Sequence, residues 1–252
     1  MNKFIVSILV SMMVLISCGS DTSERNDEER YNRTVEFSGY NWYVKASDEK
    51  VGPGPNIFSD SVTDVRVDEN GWLHLKIDRN GAIWHCAEIV CADSLGYGTY
   101  SFELADPVNE LDRNTVLGVF TWDDDAPPYY REIDIELSRW GDADYADSQY
   151  VVQPYTVSGN MHRFETSYNG GTVHSFAWSR DGVAFKSAKT DGSLIESWNY
   201  TPDPSGTDYP VPGNEKLHIN FWLLENSAPS DGVEKEVVIK KFSFDGYKGR
   251  NG

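Results

Sequence analysis

Nine stretches between residues 62 and 244 alternate apolar and polar side chains at every second position: VTDVRV, WLHLKI, YGTYSFEL, NTVLGVFTW, EIDIEL, QYVVQPY, VHSFAWS, KLHINFWL and EVVIKKFSF. Such a period sends successive side chains to opposite faces of an extended chain, so each stretch reads as a strand. IWHCAEIVC, residues 83–91, reads as one more. Between them lie Glu69-Asn70-Gly71, Asp78-Arg79-Asn80-Gly81, Asn169-Gly170-Gly171, Asp181-Gly182 and Asp191-Gly192, residue types that reverse a chain cheaply. No run of a dozen residues has the 3.6 period of a helix. Many short strands with Gly-rich turns predict an all-β fold, a two-sheet antiparallel jelly-roll sandwich. The 39% of hydrophobic and 13% of aromatic residues are enough for its core. No linker-like composition interrupts residues 35–247, so residues 35–252 are expected to form a single domain. The loops PVNELDRN, WDDDAPPYY and NYTPDPSGTDYPVPGN are long and rich in Pro or acids, as loops bordering a cleft often are.

The N-terminus is different. One basic residue, Lys3, precedes an apolar run from Phe4 to Ile16, too short to span a bilayer comfortably. Residues 1–17 read as a secretory signal, and Leu15-Ile16-Ser17-Cys18 resembles the bacterial lipobox. That resemblance implies acylation of Cys18 and a lipid anchor in the outer membrane or at the cell surface of a Gram-negative bacterium. Residues 18–34 are expected to be a flexible acidic tether, because GSDTSERNDEER has no apolar surface to bury. Cys86 and Cys91 lie on one predicted strand. Five steps at ~3.3 Å place them about 16 Å apart on opposite faces, beyond the ~7 Å that a disulfide spans.

The formal charge of −18 repels phosphate backbones and argues against nucleic acid as a partner. The sequence has no Gly-x-Ser-x-Gly, no phosphate-binding Gly-rich loop, no Cys-x-x-Cys and no His-Glu-x-x-His. No cofactor is expected, although so acidic a surface leaves room for a structural calcium ion. The expected state is a monomer.

One strand carries an unusual row. In REIDIELS, Glu132, Asp134 and Glu136 share one face, and Ile133, Ile135 and Leu137 the other. Chance alone supplies about one acid-x-acid-x-acid triplet in a chain with 40 acids in 252 residues, since (40/252)³ over 248 windows is near one. Two readings stand level on the residues alone: a solvated face, or carboxylates placed for chemistry. Two Glu could cleave a glycosidic bond, one attacking or activating water and the other donating a proton. The Asp between them could hold the nucleophile and keep a neighbouring carboxyl protonated.

The row matches the Glu-x-Asp-x-Glu pattern of glycoside hydrolase family 16, the laminarinase and lichenase group. Further stretches resemble the same family: CAEIVCADSLGYGTYSFEL, NTVLGVFTW, VHSFAWSRDG and HINFW, in order over roughly residues 80–246. The resemblance implies a concanavalin A-like jelly roll and retaining endo-hydrolysis of a β-glucan-like polysaccharide. It implies Glu132 as nucleophile, Asp134 as its assistant and Glu136 as acid/base. It places sugar contacts at Glu88, Trp122, Gln153, Tyr155, Asn220 and Trp222. The chain departs from the family at Arg131, where no cation is expected, and at Val90, where lichenases carry Arg. An alternative on the same scaffold is a surface lipoprotein that binds carbohydrate without cleaving it. A third is an adhesive sandwich whose acid row is a wet face or a calcium site.

Overall fold

The structure, a computed structural model, describes residues 31–203 and 209–247. The expected signal peptide, Cys18 and most of the expected tether lie outside the described residues. Among the described residues there are sixteen strands and two short 3₁₀ turns. The strands are β1 (Thr34–Phe37), β2 (Tyr40–Val44), β3 (Ile57–Phe58), β4 (Val65–Val67), β5 (Leu73–Asn80), β6 (Ile83–Cys91), β7 (Gly98–Leu104) and β8 (Thr115–Trp122). They continue with β9 (Ile133–Leu137), β10 (Ser148–Val152), β11 (Met161–Phe164), β12 (Thr172–Ser179), β13 (Gly182–Lys189), β14 (Leu194–Tyr200), β15 (Lys216–Leu223) and β16 (Lys235–Gly246).

The strands make two layers. The first runs β1-β2-β6-β15-β8-β9-β10-β11, and the second β4-β5-β16-β7-β12-β13-β14. Neighbours within both layers are antiparallel. The two-residue β3 adds to β6 in parallel. The β5–β6 hairpin links the layers, pairing Asp78–Asn80 with Ile83–His85 around a turn at Gly81, whose φ is 63°. Only glycine adopts that conformation without strain. The two-sheet antiparallel sandwich expected from the sequence is the observed architecture.

Alternation decides which side chains meet between the layers. Leu117 and Val119, Ile133, Ile135 and Leu137, and Leu217, Ile219 and Phe221 all point inward and are buried. The second layer answers with Tyr100, Phe102, Phe176, Phe185 and Phe242. Rings interlock across the gap: Tyr150 stacks on Phe185 at 4.9 Å, and Trp42 meets Phe242 edge-on at 5.4 Å. Each such buried side chain stabilises the fold by roughly 1.5–3 kcal/mol.

Two local findings refine the sequence reading. Cys86 and Cys91 are free, buried thiols in β6, as their spacing predicts. The folded body also begins slightly before Val35. Tyr31 stacks on Tyr43 at 5.0 Å, and the Arg33 guanidinium donates to the carbonyls of Asp60, Ser61 and Val65.

One polar chain crosses the core. Tyr150 donates to Ser187 Oγ at 2.6 Å, Ser187 Oγ meets His174 Nδ1 at 2.7 Å, and His174 Nε2 meets Thr172 Oγ1 at 2.7 Å. Complete burial pushes the His174 imidazole down to about 3, so it is neutral. The unfolded chain binds a proton there near the ordinary value of 6.5, and the folded chain only near 3. His174 therefore stabilises the fold above pH 6.5, and that contribution is lost as pH falls toward 3. Expected outcome: His174→Asn lowers unfolding free energy by about 1–3 kcal/mol at pH 8, and the gap to wild type narrows at pH 4 in urea titrations. An equal gap at both pH values would contradict this account.

Candidate active site

The acid row lies where β9 turns its back on the core. Ile133, Ile135 and Leu137 are 0% exposed, which commits the intervening side chains to the outer face of the first layer. Asp134 and Glu136 lie on β9, and Glu132 directly precedes it. Gln153 N donates to Glu132 O at 3.2 Å, so the ladder to β10 extends one residue past the strands. Asp134 stands between Phe120 of β8 and Val151 of β10, and Glu136 between Gly118 and Gln149. Asp134 is buried, while Glu132 and Glu136 are half-buried. Gly118 is required by packing: a Cβ there would lie 2.6 Å from Asn220 Oδ1.

Each carboxyl has its own surroundings. Gln153 Nε2 donates to Asp134 Oδ2 at 3.2 Å, and Asp134 and Glu132 share a hydrogen bond. Gln149 Nε2 donates to Glu136 Oε2 at 2.5 Å, and Arg163 donates to Gln149 Oε1. Burial raises all three carboxyls above the ordinary carboxylate range. Glu132 is pushed up to about 8 by burial, with the Glu136 charge adding and the Asp134 hydrogen bond opposing. Asp134 is held well above its usual value by burial and by the charges of both Glu neighbours. Glu136 is raised by burial, against the Gln149 hydrogen bond and the Arg163 charge. Burial and mutual charge thus both favour the protonated form in this row.

Aromatic side chains flank both ends of the row. At the Glu132 end Trp122 stacks on Tyr130 at 4.1 Å and donates Nε1–H to Asp124 at 2.8 Å. Arg131 clasps two loops there: it pairs with Asp123, donates Nε–H to Val211 O at 2.8 Å and packs under Gly213. Asp123 also accepts Asn214 N–H at 3.2 Å. Tyr130 and Arg131 both have left-handed backbone, φ 52° and 55°, a strained turn directly before Glu132. The Arg131 side chain is thus committed to the Asp123 carboxylate and the Val211 carbonyl. At the far end Trp140 meets Trp222 edge-on at 6.3 Å.

The expected sugar-contacting residues fall into two groups. Trp122, Gln153 and Tyr155 are at least partly accessible. Glu88, Asn220 and Trp222 share the face but are covered. Gly54 lies so close over the Trp222 ring that a Cβ would come within 2.5 Å of it. Glu88 is committed to Lys45 at 2.9 Å and His218 at 2.8 Å. Burial would raise the Glu88 carboxyl, but Lys45 and His218 outweigh it and bring it down to about 2. Sequence reasoning did not single out Gln149 and Arg163. Register supplies the signal: Gln149 faces Glu136 across β9–β10, and Arg163 faces Gln149 across β10–β11. Among the described residues no group of three or more His, Cys, Asp or Glu is arranged to hold a metal ion, which leaves the expected room for calcium without a side-chain site.

Known structures share this architecture. The chain is similar to a β-glucanase of Bacillus licheniformis, 16% identical over 86% of this chain and 96% of that one, with a TM-score of 0.64. It is similar to a β-1,3-1,4-glucanase (lichenase) from a mouse hindgut metagenome, 19% identical over 82% and 93%, with a TM-score of 0.60. It is also similar to an immunostimulatory antigen and pseudo β-1,3-glucanase of Mycobacterium tuberculosis, 18% identical over 82% and 91%, with a TM-score of 0.63. No family model and no curated protein matches the sequence. At these identities the likeness shows the fold, the jelly roll of the β-glucanases.

The raised carboxyls have a measurable cost. Glu132 takes up its proton near pH 8 in the folded chain and near the ordinary 4.5 when unfolded. The folded state therefore binds more protons between these values, and stability falls as pH rises from 4.5 to 8. Glu132→Gln is expected to melt above wild type at pH 8, by about 2–4 °C per kcal/mol relieved, and to match it near pH 4. A melting difference independent of pH would contradict the burial of an ionisable Glu132.

Proposed function

We propose that the chain is a retaining endo-glycosidase that hydrolyses a β-linked, β-glucan-like polysaccharide. One observation carries this reading. Three carboxyls with proton affinity raised by burial lie in a row on one face, and the middle one is hydrogen-bonded to the proposed nucleophile. Asp134 held protonated can donate to Glu132, which favours the carboxylate that must attack. The β-glucanase fold of the similar structures supports the same reading.

The reaction then runs in two displacements. Glu132 attacks the anomeric carbon, the bond to the leaving oxygen breaks, and Glu136 gives that oxygen its proton. A glycosyl ester on Glu132 results. Water then attacks the same carbon, passes a proton to Glu136, and releases Glu132 as a carboxylate. Two inversions leave a β-configured product. Trp122, half-buried beside the row, offers a flat face to a pyranose, and Gln153 and Tyr155 border the same end. The N-terminal sequence supports placing this activity on a lipid anchor at the bacterial surface, where polysaccharide is met.

The second reading is a carbohydrate-binding protein without turnover. One similar structure is described as a pseudo-glucanase, so the fold also occurs with that description. Reducing-end release from a panel of neutral β-glucans and galactans separates the two. The expected result is release by wild type with a β-anomeric first product by NMR. Glu132→Gln and Glu136→Gln should each lower kcat on the order of 10²–10⁴-fold. Retention on insoluble glycan with no release from any polymer would establish the binding reading instead.

A further inference from the structure

Beside Glu136 stands a side-chain relay that the two displacements above leave unassigned. Gln149 Nε2 donates to Glu136 Oε2 at 2.5 Å, and Gln149 Oε1 accepts from Arg163 Nη2. An amide has one acceptor end and one donor end. Arg163 can only donate, so it must face the oxygen, and the NH₂ group is thereby turned toward Glu136. Arg163 is itself held. It sits over the Tyr145 ring at 4.2 Å and the Trp140 ring at 5.7 Å, both on the loop that follows β9.

We infer that Arg163 is a positioning residue for the second displacement, fixing Gln149 so that Glu136 is held as the carboxylate that takes a proton from water. This rests on the glycosidase reading and extends it to a residue that reaches Glu136 through Gln149.

The two half-reactions make opposite demands on Glu136. It needs a proton in the first and must lack one in the second. Before the first step burial favours protonation of Glu136, as it does of Glu132 and Asp134. Once Glu132 is esterified it can no longer ionise. The groups then facing Glu136 are Asp134 from its own strand, Gln149 and Arg163 from β10 and β11, and Gly118 from β8, which has no side chain. Asn220 behind Gly118 is uncharged. The Gln149 donor and the Arg163 cation on the β10–β11 side act against burial and favour the ionised form. Water attacks carbon, its proton goes to Glu136, and the ester bond to Glu132 breaks with the electron pair returning to that carboxylate.

The test uses the full chain with Glu132→Gln, where the nucleophile position is neutral as in the glycosyl-enzyme. The ¹³C carboxyl signal of Glu136 is titrated in this background and in the same background with Arg163→Met or Arg163→Lys. The expected result is a midpoint higher by on the order of one pH unit with Met, moving back toward the starting value with Lys. An unmoved midpoint in the Met variant overturns the proposal, including where that variant merely melts earlier. With Glu132 restored, an aryl β-glycoside should show a product burst in Arg163→Met that wild type lacks, because the ester then accumulates. Slower turnover without a burst also overturns it. The titration needs no substrate, so a protein that cleaves no glycan refutes the glycosidase reading by a separate result.

Discussion

Every carboxyl of the acid row is held in place from behind. Ile133, Ile135 and Leu137 lie in the core, fully buried, and the strand has no freedom to rotate. A slip of one residue would put three acids into an apolar interior and three aliphatic side chains outside. The core therefore specifies the site: the same alternation that closes the sandwich aims Glu132, Asp134 and Glu136 outward. Strands β8 and β10 fix their spacing by ladder hydrogen bonds on both sides. This rigidity suits a reaction that needs carboxyls placed closely.

The site is costly for the fold. Three acids crowd together with raised proton affinity, and the turn into Glu132 takes two left-handed residues. Around it are contacts that hold. Arg131 ties Asp123 to the Val211–Gly213 segment, and Lys45 and His218 compensate Glu88 under the same face. Such an arrangement gives up stability for the proposed reactivity. The charge on Arg131, unexpected beside the proposed nucleophile, is satisfied by the Val211 carbonyl and the Asp123 carboxylate.

Much of the fold was legible because period two is a local property. KLHINFWL is β15 residue for residue, and NTVLGVFTW contains β8. Strands β13 and β14 were framed by the Asp181-Gly182 and Asp191-Gly192 turns but not read. GVAFKSAK mixes small residues into both faces, and LIESWNY forms the edge of its layer, half-exposed throughout, so neither needs clean alternation. MHRF has four residues, too few to display a period. The site was legible in its acids and only partly in its surroundings. Trp222 and Asn220, expected to touch sugar, are instead covered, Trp222 by Gly54 and Asn220 beside its strand neighbour Gly118, and contacts between distant segments leave no local mark.

The sequence by itself determined the layer architecture and the identity of the carboxyl row. Both follow from side-chain alternation along one strand, which is set by neighbours in the chain. Only the tertiary structure decided what each carboxyl feels. Gln149 and Arg163 reach Glu136 through two strand pairings. Asp123 and the Val211–Gly213 segment meet at Arg131 from two places in the chain. Proton affinity depends on burial and on charges a few ångströms away in space, and those distances exist only once the sheets have paired.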